Sequence, residues 1–447
     1  MATVHPPGPK GLPLLGSFLD FVRGMPDFLL RCREEHGDIC GFNLGARRGI
    51  LLNHPDWIHQ ILVQDARMFQ KSYALQRMRN TLGEGLLTSE GEFHLRQRRI
   101  SSKAFVKTRV AAYADCMVEL TQRLGSELKP SQTLDVADFF MALTLRIAAK
   151  TLFGRDTTED AAVVSHALDE LQRLFPFLLI PFSEFLERFP LPNVRRFQKA
   201  RGELDDVIYG FIAERRSDGR DRGDLLSMLM QATDDEGGGG RMTDEQLRDE
   251  CLTIFLAGHE TTANALCWTL YLLAQNPHIY QKLFQEVDAV LGQRAASSED
   301  FAKLNYTYQV LAESMRLFPP AWTLGRTPYQ DYQVGPYTVS PGSVVFLSPY
   351  VTQRDCRWYP DPLVFDPSRF APGEMEKRPK MSYFPFGAGV RKCLGERFAW
   401  MEGVLILATL CQRYRFHLDS GLLKKTWAAV TLRPAGGLRM RVESRGS

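Results

Sequence analysis

The 447-residue chain has no run of about 18 apolar residues, the length a membrane-spanning helix needs. Nor does it open on a short apolar stretch with a cleavage site, so no secretion signal is visible. Its eight cysteines, at 32, 40, 116, 251, 267, 356, 393 and 411, include no Cys-x-x-Cys pair, and no histidine cluster accompanies them. That spacing excludes the usual zinc sites and ferredoxin-type clusters, argues against a disulfide framework, and fits a reducing, cytoplasmic compartment. A Gly-x-Gly-x-x-Gly following a strand is also missing, so the chain carries no dinucleotide fingerprint of its own. It lacks an excess of either charge: 55 Lys and Arg against 52 Asp and Glu give +3, which demands no nucleic-acid partner.

The informative residues lie in a few places. Phe386-Gly387-Ala388-Gly389-Val390-Arg391-Lys392-Cys393-Leu394-Gly395 sets one cysteine among glycines and an arginine. Glycines at 387, 389 and 395 let the backbone take positive φ and come close to something large and flat. The helix-forming run Glu396-Arg397-Phe398-Ala399-Trp400-Met401-Glu402 follows directly. Cys393 is therefore placed at a helix N-terminus, where the dipole and free N–H groups favour an anionic sulfur. A single thiolate held this way suits the axial position of a haem iron. The plainer alternative is an ordinary buried cysteine behind a glycine turn.

The segment from Thr243 to about Gln275 is predicted to be one long helix, with Thr243 and Gln246 as a capping box and Asn276-Pro277 as its stop. At ~1.5 Å per residue it would be about 48 Å long, and its two arms are apolar nearly all round, as in a buried helix. One core spanning the middle of the chain favours a single domain over two. Ala257-Gly258-His259-Glu260-Thr261-Thr262 stands mid-helix against local propensity, and threonine hydroxyls there can bond back and bend the helix. A packing kink with Glu260 turned to solvent is the bland reading; acid and alcohol side by side suit proton delivery. Elsewhere 39–45 and 49–53 read as a hairpin turning at Ala46-Arg47-Arg48, and helices are predicted at about 92–106, 108–127, 136–153, 160–174, 193–216 and 222–232. The polar run Asp234–Gly240 reads as a mobile surface loop.

The spacing Phe386-x-x-Gly389-x-Arg391-x-Cys393-x-Gly395 resembles the haem-ligand loop of the cytochrome P450 monooxygenases. The likeness runs from Pro6-Pro7-Gly8-Pro9 to Leu432-Arg433-Pro434. It implies a mainly α chain with small β-sheets, a triangular helical prism with a long central helix, forming one catalytic domain over 1–447. Within it a β-rich part is expected at about 35–70, a helical core at about 90–320, and a β-rich part with the cysteine loop at about 325–447. The resemblance also implies heme b, with Cys393 as metal ligand, Phe386 and Gly395 beside the cofactor, and His94, Arg98, Arg326 and Arg391 on its propionates. Planar guanidinium suits carboxylate well.

By the same resemblance, Ala257 and Gly258 leave room for dioxygen and substrate, Thr261 holds a water and Glu260 relays protons inward. Glu313, Arg316 and Arg369 become a structural triad bracing the cysteine loop. Pocket walls are expected at Phe177, Phe255, Ala257, Ala321, Leu324 and Val430, with the apolar stretch 174–182 as lid or core. Arg77 and Arg79 could anchor a substrate carboxylate, although a solvated loop is the plainer reading. His94 stands where membrane-bound relatives have Trp, and Gln353 replaces a frequent histidine.

The implied activity is insertion of one oxygen atom of O2 into a hydrophobic fatty acid, terpenoid, steroid or polyketide-like substrate. Two electrons would come from NAD(P)H through an external ferredoxin or flavoprotein, docking where Arg391, Lys392 and Arg397 supply positive charge. The competing class is a haem-binding non-oxygenase, either a sensor or a peroxide isomerase or dehydratase; the Glu260–Thr261 pair favours the monooxygenase. A soluble, bacterial-type monomer is expected.

Overall fold

The computed structural model describes residues 5–154, 167, 170, 191–233, 240–419 and 425–445. Its described helices of more than eight residues are α1 (Met25–His36), α2 (Gly91–Ser102), α3 (Lys107–Ser126), α4 (Val136–Phe153), α5 (Pro192–Asp218), α6 (Asp244–Gln275), α7 (Pro277–Leu291), α8 (Asn305–Leu317) and α9 (Glu396–Arg413). The described strands are β1 (Ile39–Leu44), β2 (Arg47–Leu52), β3 (Phe69–Lys71), β4 (Thr133–Asp135), β5 (Leu324–Pro328), β6 (Tyr332–Val334), β7 (Tyr337–Val339), β8 (Val344–Leu347), β9 (Tyr414–Leu418), β10 (Thr426–Ala428), β11 (Leu432–Pro434) and β12 (Arg439–Ser444). The result is a helix-rich body with small sheets.

Local chemistry sets the ends of the helices. Asp135 caps α4 by accepting the Ala137 N–H at 2.9 Å, and Gly154 ends it in the left-handed region at φ 67°. Thr243 and Gln246 close the expected capping box on α6, which runs unbroken for 32 residues to the Asn276 cap. The helix continues through 257–262, where the Thr261 hydroxyl bonds back to the Ala257 carbonyl at 2.7 Å, as anticipated. Around α6 pack α4, α5, α7, α8 and α9. Trp268 stacks flat on Phe318 at 4.1 Å in the apolar cluster beneath its C-terminal arm. The 160–174 helix, apart from residues 167 and 170, and most of the 234–240 loop lie outside the described residues.

The largest sheet has the order β1-β2-β8-β5-β3, with β2 and β8 parallel and the other pairs antiparallel. It joins the start of the chain to the segment after α8, so the N-terminal β-rich part is not a separate unit. Its first hairpin turns more tightly than anticipated. Gly45 and Ala46 alone form the turn, because Gly45 takes φ 63° and frees Arg47 to pair with Leu44. No described helix is long and apolar enough to cross a membrane.

Candidate active site

Two glycines shape the cysteine loop. Gly387 and Gly389 have φ of 67° and 68°, and a Cβ on Gly389 would fall 1.9 Å from the Leu62 carbonyl oxygen. Gly395 differs from the expectation: its φ is −83°, and a Cβ there would meet only Phe105, at 3.9 Å. Its missing side chain therefore leaves open space that the protein does not fill. The loop is closed by the Cys393 N–H donating to the Phe386 carbonyl at 2.9 Å, and the Phe386 ring packs on Trp400 at 5.4 Å.

Gly395 caps α9, so Cys393 precedes that helix by three residues. Burial pushes its thiol above the usual range, while the Gly395 N–H, Arg98 and Lys392 draw it back. The helix start alone does not hold a thiolate there, whereas a coordinated metal cation would deprotonate the sulfur outright. Among the described residues no group of three His, Cys, Asp or Glu side chains could hold a metal ion. Cys393 keeps accessible surface, so its single sulfur is open to a ligand.

The central helix α6 is buried on nearly every side except one. Ala257 is exposed, Gly258 and Thr261 are half-exposed, and a Cβ on Gly258 would meet nothing within 4 Å. Small residues in a core helix that face open space make a cradle for a group larger than any side chain. Glu260 is turned inward instead, 1 % exposed, and accepts a hydrogen bond from the Thr431 hydroxyl at 2.5 Å. The solvent-facing alternative is overturned.

A cluster of cations borders the same region. Arg326 is buried, and its pKa falls to about 10, chiefly through burial and then through neighbouring Arg391. Its guanidinium donates to the Gly325 carbonyl, and among the described residues no carboxylate pairs with it directly, Glu90 acting on it only at longer range. Arg98, drawn down by burial, lies near enough to influence Cys393. His94 is held near pKa about 3 by burial first and then by Lys71, Arg391 and Arg98. Its Nδ1 faces the Ser89 hydroxyl and the Lys71 ammonium at 3.2 and 3.5 Å, while Nε2 makes no hydrogen bond of full geometry and the Val390 carbonyl draws the ring's pKa only slightly back up. An ammonium can only donate, so the His94 proton belongs on Nε2.

Lys71, absent from the sequence reading, is buried with its pKa lowered to about 7 by desolvation. It donates to the Leu86 and Ser89 carbonyls at 2.9 and 2.6 Å. Nothing in a lone lysine on a three-residue strand signals this. Arg391 is the exception in the set: it already bonds the Ala66 and Phe69 carbonyls and pairs with Glu90 at 2.6 Å. Glu90 is already paired with Arg391 and acts on Lys71 and Arg326 only at longer range, so these buried cations have room for the two propionates of a haem.

The brace forms with both partners fully buried. Arg316 grips Glu313 through two bonds of 2.7 Å, while Arg369 stands 3.6 Å from the same carboxylate. Gln353, read as a departure, turns out to be a connector. Its amide donates to the Met315 and Arg316 carbonyls at 3.0 Å and accepts the Phe384 N–H at 3.1 Å, tying the brace to the segment entering the cysteine loop.

Among the expected pocket residues, Leu324 lies beside the loop, 3.5 Å from where a Gly387 Cβ would be, and Ala321 and Val430 are half-exposed. Phe255 is instead core: 3 % exposed, with its ring 5.5 Å from Phe153. Phe177 and the 174–182 stretch lie outside the described residues. Arg79 is engaged by the Thr88 carbonyl and Glu84, and Arg77 also has an interaction partner. Of the three cations expected on the docking face, Arg391 is turned inward, leaving Lys392 and Arg397 exposed.

Residues 6–436 match the family described as Cytochrome P450. Cyclooctatin synthase of Streptomyces melanosporofaciens is 38 % identical over 99 % of this chain and 96 % of its own length. Pentalenene oxygenase of Streptomyces avermitilis is 30 % identical over 98 % and 97 %. Cyclooctat-9-en-7-ol 5-monooxygenase of S. melanosporofaciens is 34 % identical over 91 % and 88 %. Among solved structures, the retinoic acid bound cyanobacterial CYP120A1 superposes with a TM-score of 0.88 at 27 % identity, each chain fully covered. Cradle, lone thiolate, unanswered cations and relatives agree: the chain belongs to the cytochrome P450 family and is a haem-thiolate monooxygenase, an oxidoreductase that places one atom of dioxygen in a hydrophobic substrate.

Proposed function

We propose that this monooxygenase oxidises a cyclic terpenoid, and that Cys393 would ligate the haem iron while Lys71, His94, Arg98 and Arg326 would hold its propionates. The observation that carries the reading is the open, small-residue face of α6 at Ala257, Gly258 and Thr261 within an otherwise buried helix. Relatives named for oxygenation of pentalenene and cyclooctat-9-en-7-ol support the substrate class. Haem b, when bound, supplies the oxygen and electron-transfer chemistry. The protein's part is to hold the sulfur, keep the substrate's face dry and move protons. Thr261 offers its hydroxyl at the open face, and Glu260, one residue earlier, holds the proton behind it. Ala321, Leu324 and Val430 provide apolar walls, which suit a hydrocarbon skeleton.

Electrons reach the site from NAD(P)H through a ferredoxin or flavoprotein docked over the exposed Lys392 and Arg397. The chain acts as one catalytic domain, a monomer in the cytoplasm.

Two spectral measurements test this reading. With carbon monoxide, the reduced protein gives a red-shifted, thiolate-type Soret band that Cys393→His abolishes; a histidine-type band in the native chain overturns the ligand assignment. A titration of the oxidised protein gives a type-I shift with cyclic terpene alcohols at concentrations where fatty acids give none. The reverse order of affinities overturns the substrate class.

A further inference from the structure

We infer that Thr431 is a positioning residue for Glu260, so that the proton-relay acid is held by the same turn that carries pocket residue Val430. The inference rests on the relay role given to Glu260 above. Thr431 is 4 % exposed and Asn264 2 %. Asn264 Nδ2 donates to the Thr431 hydroxyl at 3.1 Å, and that hydroxyl gives its one proton to Glu260 Oε1 at 2.5 Å. A hydroxyl has a single proton to give, so the chain Asn264→Thr431→Glu260 runs one way and ends on the carboxylate. A short O–H···O bond to a carboxylate oxygen is among the stronger ones available to a side chain.

The geometry around this chain leaves the hydroxyl little freedom. Glu260, Asn264 and Trp268 are spaced i, i+4, i+8, one stripe along α6. Against that stripe lies the β10–β11 turn. Trp268 Nε1 donates to the Leu432 carbonyl at 3.0 Å, and Trp322 Nε1 donates to that of Ala429 at 3.1 Å. The Ala429 N–H closes on the Thr431 carbonyl at 3.1 Å, and the Leu432 N–H on that of Pro320 at 2.9 Å. Three of these bonds fasten the turn to its surroundings and the fourth closes it on itself, with Val430 half-exposed between Ala429 and Thr431. A substrate pressing on Val430 therefore acts on the residue that orients the acid.

The test compares Thr431→Val, which removes the hydroxyl at similar volume, with Thr431→Ser, which keeps it. The infrared carboxyl band of Glu260, identified by its loss in Glu260→Gln, is recorded on the oxidised holoprotein without reductant. Thr431→Val shifts this band and Thr431→Ser leaves it in place. In turnover with a surrogate ferredoxin system, Thr431→Val gives about tenfold less product per electron pair, with hydrogen peroxide in its stead. That falls short of the about hundredfold or larger loss expected of removing a positioned acid. An unshifted band in Thr431→Val overturns the inference, as does a Thr431→Ser variant that behaves like Thr431→Val, since packing alone would then explain the effect. Failure of the underlying reading looks different: Glu260→Gln would keep full coupling while the band still moves in Thr431→Val.

Discussion

The brace at Glu313, Arg316 and Arg369 and the cluster of Lys71, His94, Arg98 and Arg326 are both made of charge withdrawn from water, yet one is complete and the other is not. Arg316 spends its guanidinium on Glu313 and on the carbonyls of Gln353, Pro362 and Val364. In the second cluster Arg326 pairs directly with no described carboxylate, Glu90 acting on it only at longer range, and His94 Nε2 makes no hydrogen bond of full geometry. A buried cation is costly unless it is paired, so the first cluster satisfies itself and the second requires an anion from elsewhere. Function lies where the protein leaves charge unanswered. Arg391 belongs between the two classes, because Glu90 already answers it.

Breaking the complete cluster should have the largest effect. Glu313→Ala leaves Arg316, 0 % exposed, with carbonyl acceptors only, and is expected to cost about 3–5 kcal/mol of stability. Because the brace needs nothing external, thermal or urea unfolding should show the same loss with and without haem. A loss below about 1 kcal/mol would rank the pair with ordinary surface salt bridges.

Arg326→Leu should behave in the opposite manner. Without haem the substitution removes an unanswered buried cation and is expected to leave stability unchanged or raise it. With haem it removes a charge-assisted bond worth about 1.5–3 kcal/mol, so haem transfer to an acceptor such as apomyoglobin should become about tenfold faster or more. Equal destabilisation of both forms would place Arg326 with the brace.

The same contrast explains what could be read from the sequence. The ends of α6, the Glu313–Arg316 pair and the Cys393 loop are written in local spacing, and each appeared where expected. Lys71 and Thr431 were not legible, because their meaning arises only when distant segments meet: β3 against the 86–89 turn and α2, and the β10–β11 turn against α6. The connecting role of Gln353 was hidden for the same reason, since its amide bridges α8 and the segment before the cysteine loop only in the folded chain. Phe255 misled because an aromatic on α6 can face core or cavity, and helical spacing alone does not say which. The Gly395 conformation failed differently: glycine permits positive φ without requiring it.

The smallest expected effect is also the most diagnostic, and it depends on pH. In the unfolded chain His94 has the ordinary histidine pKa of about 6.5, whereas the fold holds it at about 3 through burial and the neighbouring cations. Between those values the unfolded state binds a proton that the folded state refuses. The His94 contribution is therefore present above pH 6.5 and is lost as pH falls toward 3, with a slope of at most about 1.4 kcal/mol per pH unit. Other carboxyls titrate in that window, so the quantity to measure is the difference between native chain and His94→Gln. Haem should shrink it: propionates answer Lys71, Arg98 and Arg326 and accept the Nε2 proton, removing much of what disfavours the charged ring. A difference curve with the same slope with and without haem would mean that the cations around His94 are held by the protein alone, and the cluster would then be a second brace.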